Sequence, residues 1–268
     1  MTKKERGYLT ELYYFALSFF VYGFLGWCTE VAYAAAKQGK FVNRGFLNGP
    51  ICPVYGIGVG VVVQFLTPVE NNLVLLYISS TILVTVIEGI TGFLLEKIFH
   101  NKWWDYSEQP LNIGGYVCVL FSLIWGVFCV LIVKIIHPLI YKVLTMIPLV
   151  LGIVVMACLA VGLLADLYVT ASGILKMNRR LETMEKIAAE LKELSDKVGE
   201  NICENVMEGM EFREEKKARI EELKAKYEEM AENRTKVGER LVKAFPKMQV
   251  GQHKEIFEEL RERIKRSK

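Results

Sequence analysis

Five stretches of this chain are so continuously apolar that they constrain the fold more than any other feature. They cover about residues 13–36, 50–66, 73–99, 115–136 and 146–171. A bilayer core of about 30 Å takes roughly 20 helical residues to cross. Four stretches reach that length, and the second is shorter and rich in Gly. None alternates with period two, which argues against a β-barrel. Backbone in lipid must satisfy its own N–H and C=O groups, so each stretch is expected to be a helix. The expected fold is all-α: a polytopic helical membrane protein with about five transmembrane helices.

Charge divides the chain in two. Of 33 Lys/Arg and 30 Asp/Glu residues, 10 and 9 precede position 176. Residues 1–175 therefore read as a transmembrane helical domain and 176–268 as a soluble, charged tail. In the tail, Leu181, Met184, Ala188, Leu191, Leu194 and Val198 recur at steps of three and four. Ile220, Leu223, Tyr227 and Met230 repeat the pattern, as do Phe257, Leu260 and Ile264. This predicts amphipathic or coiled-coil helices, either folded into a hairpin or free to dimerise or dock a partner. Gly199 and Gly209 weaken the middle, and Pro246 and Gly251 set off a last helix. The net charge of +3 comes without a basic stripe, so nucleic acid is not an expected partner.

The six cysteines, Cys28, Cys52, Cys118, Cys129, Cys158 and Cys203, form no CxxC and read as small apolar residues. His100 and His137 read as residues of different loops without a metal pattern. The first apolar run is too long for a cleavable signal and lacks an A-x-A exit.

Orientation follows Lys/Arg in short loops. Lys37, Lys40 and Arg44 follow the first stretch, Lys97 and Lys102 the third, and Lys176, Arg179 and Arg180 open the tail. Five crossings put all three on the inner side with a cytoplasmic tail, and leave Lys3, Lys4 and Arg6 outside, against the rule. A re-entrant second stretch would reverse the N-terminus.

Ionisable groups inside apolar spans cost about 2.5–3.5 kcal/mol on insertion scales and mark candidate sites. The carboxylates among them are Glu30, Glu88, Glu96 and Asp166. Glu88, Gly92 and Glu96 are spaced to lie on one helix face. Glu96 and Asp166 sit near the expected inner ends, where water explains them; Glu30 and Glu88 are deeper. Arg44 is the expected counter-charge. Two loops are irregular. Residues 43–58 read NRGFLNGPICPVYGIG, a Gly- and Pro-rich run tolerated at membrane depth only when enclosed by protein or lining a cavity. Residues 103–112 hold Trp103, Trp104, Asp105, Tyr106, Ser107 and Asn112. The aromatics suit a headgroup layer, and the polar residues beside them suit a headgroup, a cation or a solute.

Those motifs carry a resemblance. Gly23-Phe24-Leu25-Gly26-Trp27 with Glu30, the 43–58 run, Glu88, Thr91-Gly92, Glu96, Trp104 to Ser107, Asn112, Cys118, Ser122 and Trp125-Gly126 resemble the bacterial membrane family labelled ABC-transporter type IV, also called CmpB-like. The resemblance spans about residues 9–171 and leaves the tail outside. It implies a multi-pass permease-like component of the bacterial plasma membrane. No GxxxxGK[ST] occurs, so the ATPase would be a separate subunit, docked by the tail.

The candidate solute- or ion-binding residues are Glu30, Asn43, Arg44, Glu88, Glu96, Trp104, Asp105, Tyr106, Ser107 and Asn112. No cofactor, metal ligand or recognised catalytic constellation is expected, which weighs against an enzyme. Two other readings stay open: a membrane-embedded enzyme acting on a lipid or polyprenyl substrate, and a membrane-anchored scaffold or signalling protein working through its tail or self-associating there.

Overall fold

A computed structural model describes residues 3–200, 209–233, 235–251 and 253–266. Cys203 lies outside the described residues, as do the side chains of Lys3, Lys4, Arg6 and Val198. The chain divides into two compact units, Met1–Ala171 with Lys243–Gln249, and Ser172–Val242 with Val250–Lys268.

The first unit is a helical bundle. Helix α1 runs Lys3–Gln38 and α2 runs Pro53–Leu66, continued by a 3-10 turn at Thr67–Val69. Pro53 starts α2 where its missing N–H costs nothing. Helix α3 spans Leu73–Phe99, and the Asn72 side chain caps it by accepting from the Leu75 amide at 3.1 Å. Helix α4 (Val119–Leu131) continues through a π-helical turn, Ile132–Ile136, into α5, His137–Thr145. The turn has a local cause: Pro138 has no N–H to give the carbonyl four residues back, at Lys134. Helix α6 begins at Leu149, directly after Pro148, and runs to Glu200.

Four helices are long and apolar enough to cross a membrane: Leu9–Gln38, Leu73–Phe99, Val119–Thr145 and Leu149–Lys197. Pro53–Val69 is apolar but shorter. Apolar side chains on these helices face outward, among them Ile82, Val127, Val150 and Leu164, as a lipid-facing surface requires. His137 sits inside a continuous helix, not in the loop expected for it, because the apolar pattern carries on through the π-turn.

In lipid, helices are held by close packing and interhelical hydrogen bonds. Here α1 and α2 cross on glycine. A Cβ at Gly56 would lie 2.5 Å from the Phe19 carbonyl oxygen, and one at Gly60 would lie 2.8 Å from the Phe15 ring. Gly26 takes the Tyr55 side chain, and the Cys52 amide bonds the Gly23 carbonyl at 2.9 Å. Partners in α1 fall as those in α2 rise, so the two helices run antiparallel. Helix α3 meets α4 similarly, with Gly126 against Tyr77 and Thr81. Val62, Leu66, Leu76, Cys129 and Val133 form a core where α2, α3 and the π-turn converge.

The second unit contains the later part of α6 with α7 (Gly209–Glu232), most of α8 (Lys236–Ala244) and α9 (Lys254–Arg266). Leu181, Met184, Leu223, Phe257 and Ile264 from the predicted stripes are buried. Polar pairs tie the helices together: Arg219 to Glu190 at 3.0 Å, Arg263 to Glu228 at 2.6 Å, and the Tyr227 hydroxyl donating to Glu259 at 2.6 Å. Ala188, Leu191, Leu194, Ile220, Tyr227, Met230 and Leu260 of the same stripes are half-buried.

Candidate functional site

The first irregular loop is built around Asn43. Its Oδ1 accepts from the Trp27 indole at 2.7 Å and from the Gly45 amide at 3.0 Å, and its Nδ2 donates to the Asn48 carbonyl at 2.7 Å. One amide side chain therefore shapes the turn and ties it to α1. Within this turn Arg44 meets Glu30, Nε to Oε2 at 3.2 Å, and its guanidinium lies 4.7 Å from the Tyr33 ring centroid. The other Glu30 oxygen accepts from the Tyr55 hydroxyl at 2.7 Å. Both charges remain about a quarter exposed, with side-chain values of 29% for Arg44 and 25% for Glu30. The counter-charge expected for Arg44 is thus Glu30 and not Glu88.

Asp166 has more to do than sit in interfacial water. It accepts from the Asn48 amide at 3.1 Å, the Asn48 side chain at 2.8 Å, the Gly49 amide at 2.6 Å and the Thr170 hydroxyl at 3.2 Å. It fastens the first loop to α6.

The second loop folds back toward the bundle. An antiparallel ladder pairs Asn112 with Cys118 and Ile113 with Val117. Gly114 and Gly115 between them take positive φ, and a Cβ at Gly115 would meet Asp105, Ser107 and Lys102 at 2.5 Å. Their use in this turn delays α4 to Val119, four residues past the expected start. Trp104 helps hold the loop: its indole donates to the Tyr116 carbonyl at 2.8 Å and its ring packs on Gly92. Trp103 is buried against Phe46 and Phe245.

Tyr106 stacks on Phe121, with centroids 5.0 Å apart, and donates to Glu88 Oε1 at 3.3 Å. Glu88 Oε2 is buried and has no protein hydrogen-bond partner. Glu88 lies roughly 16 Å along α3 from its C-terminal end. Burial, followed by the Glu88 and Glu30 charges, pushes the Tyr106 hydroxyl above the usual phenol range. Glu30 is therefore within electrostatic reach of Tyr106. Tyr55 meets Trp125 edge to face at 6.0 Å, and Trp125 stands one turn along α4 from the Phe121 that stacks on Tyr106. Glu30, Arg44, Tyr55, Glu88 and Tyr106 thus form one charged and phenolic group contributed by α1, α2, α3 and the two loops.

The remaining expected residues serve elsewhere. Glu96 lies near the Tyr116 hydroxyl, and its Oε2 is buried without a protein hydrogen-bond partner. Asp105 is committed to local structure, bonded by Lys102 at 3.0 Å, by Ser107 Oγ at 2.6 Å and by the Ser107 amide at 3.0 Å. Its second oxygen accepts from Gln249 at 3.0 Å. Burial acts to raise its pKa, but the Ser107 and Lys102 contacts outweigh it and hold the carboxyl down at about 2. Asn112 closes the same turn by donating to the Ser107 and Gln109 carbonyls. Among the described residues no group of three or more His, Cys, Asp or Glu is placed to hold a metal.

Sequence reasoning missed Tyr55 and Tyr33 as partners of the ion pair. Tyr55 stood inside the quoted motif, but its reach to Glu30 depends on the glycine-set α1–α2 spacing. No curated protein and no solved structure matches the chain. A family model described as "Putative ABC-transporter type IV" matches residues 17–171, more than half of the length, and the chain belongs to that family of membrane proteins.

Proposed function

We propose that this protein is a permease-like component with five membrane crossings, in which Glu30, Arg44, Tyr55, Glu88 and Tyr106 line the path of a small polar or amphiphilic solute. The observation that carries the reading is Glu88: a carboxylate deep in an apolar helix, bonded through one oxygen and orphaned at the other. A buried carboxylate left half-satisfied costs stability, and such groups in membrane helices mark ion or proton pathways. The partly exposed Glu30–Arg44 pair leaves room for exchange, because its members can separate when a solute offers either charge a new partner. Carboxylates here hold a cation or trade protons.

The apolar Pro53–Val69 helix is taken as a fifth, short crossing, and Lys/Arg in the short loops favour Arg44 and the tail on the cytoplasmic side. A separate ATPase subunit would supply energy. The enzyme reading draws less support, because Asp105 and Ser107 are spent on the turn.

The test uses full-length protein in proteoliposomes. A solute panel screened by thermal stabilisation nominates ligands, and flux is then compared for wild type, Glu30→Gln and Glu88→Gln. The reading expects at least a tenfold loss of flux in Glu88→Gln. Flux and binding unchanged in both variants would refute it.

A further inference from the structure

A cavity of about 460 Å³ lies between α1, α2 and α5, and none of the residues discussed above as candidate site residues lines it. Its volume falls in the range of small-ligand pockets. Glu11 on its rim is 19 residues from Glu30 on the same helix, roughly 28 Å away. The two places are therefore separate.

The lining has a distinct chemistry. Tyr14, Tyr141, His137 and Tyr22 form a connected aromatic wall. Ring centroids are 5.2 Å apart for Tyr14–Tyr141, 5.8 Å for His137–Tyr141 and 6.2 Å for Tyr22–His137. A Tyr22 hydroxyl–His137 Nδ1 hydrogen bond of 2.9 Å fixes one end of the wall. On the α2 side Gly60 lets the Phe15 ring pack closely, because a Cβ there would lie 2.8 Å from it. Among the described residues of the lining Glu11 is the acid and there is no Lys or Arg, and Gln64 adds an amide.

We propose that this cavity binds an organic cation through its alkylammonium group. The sign of the lining charge disfavours an anion. A single carboxylate is too few for a hard metal cation, which takes six or more oxygen ligands. Aromatic faces attract a poorly hydrated ammonium, and a carboxylate at the mouth neutralises it. The same group occurs on free amines and on choline or ethanolamine lipid headgroups, and a helix-lined cavity in a membrane bundle is accessible to both.

The test uses the full-length protein. Tetramethylammonium is titrated calorimetrically into protein in detergent, and protein in nanodiscs of mixed phosphatidylcholine and phosphatidylglycerol is analysed for lipid retained after delipidation. Saturable tetramethylammonium binding identifies a free amine as the source, and selective retention of the choline lipid identifies a headgroup; either supports the proposal. Tyr141→Leu and Glu11→Gln are each expected to weaken binding at least fivefold. Tyr141→Phe, which keeps the ring, is expected to bind as wild type. Binding of neither probe, equal binding of sodium, or equal losses in Tyr141→Phe and Tyr141→Leu would overturn it.

Discussion

Removing the Asp166 carboxylate tests whether α6 holds the first loop in its shape. In Asp166→Ala the Asn48 and Gly49 amides lose their acceptor, at 3.1 and 2.6 Å. A hydrogen bond to a charged group contributes about 1.5–3 kcal/mol. Asn48 is exposed, so water takes over part of each bond, and about 1 kcal/mol apiece is a fair discount. With the Asn48 and Thr170 side-chain bonds also lost, local opening becomes easier by roughly 2–3 kcal/mol. Amide exchange at Asn48 and Gly49 should then accelerate by about 30- to 150-fold, read by hydrogen–deuterium exchange and mass spectrometry. The Asn43 bonds to Trp27 and Gly45 do not involve Asp166 and supply an internal control. Acceleration below threefold at Asn48 and Gly49 would refute the anchoring role. So would equal acceleration at Gly45, because the loss would then be general.

The other predictions concern the second loop and the α3–α4 contact. Asp105 has a folded pKa near 2 against an ordinary 3.8, so its contribution is present above 3.8 and is lost as pH falls through about 2. Tryptophan fluorescence from Trp103 and Trp104 should therefore hold steady from pH 7 to 4 and change in strong acid, with that step absent in Asp105→Asn. Gly126→Leu would drive a side chain into Tyr77 and Thr81, where even a Cβ has no room. Overpacking of this kind costs about 1–3 kcal/mol, and a lowered melting temperature in detergent would be its signature.

The sequence and the structure agree where lipid imposes a penalty. Glu30 and Glu88 stood out because an apolar span rarely tolerates a carboxylate, and Arg44 because it had no open surface to occupy. Less legible was everything set by backbone spacing between helices. Nothing in the order of residues says that Arg44 pairs with Glu30 and not Glu88, because both lie in apolar spans of similar depth. Asp166 looked like a wetted helix end, since its partners are main-chain amides more than a hundred residues away. The stripe pattern in the tail indicated buried faces without indicating what covers them, because periodicity fixes a face and not its neighbour. Tyr14 and Tyr22 read as ordinary residues of the first apolar stretch, and Tyr141 fell between the fourth and fifth stretches. Their wall depends on how closely Gly56 and Gly60 let α2 approach α1 and on the π-turn that leads into α5.

That dependence on one helix contact makes a sharper prediction than either site alone. Tyr55 reaches Glu30 from α2, and Phe15 meets Gly60 across the same contact. Gly56 lies between these points and takes no Cβ without displacing the Phe19 carbonyl. The obstacle is backbone, so Gly56→Ala must separate the helices and cannot be absorbed by a rotamer change. Separation acts at both ends of α2. It lengthens the Tyr55–Glu30 bond, and it opens the wall beside Gly60. Gly56→Ala should therefore weaken tetramethylammonium binding and also loosen the first loop, whereas Asp166→Ala should loosen the loop and leave ammonium affinity within twofold of wild type. Calorimetry and hydrogen exchange on the two variants decide it. If Gly56→Ala changed one readout and spared the other, the glycine contact would not be the element that fixes both.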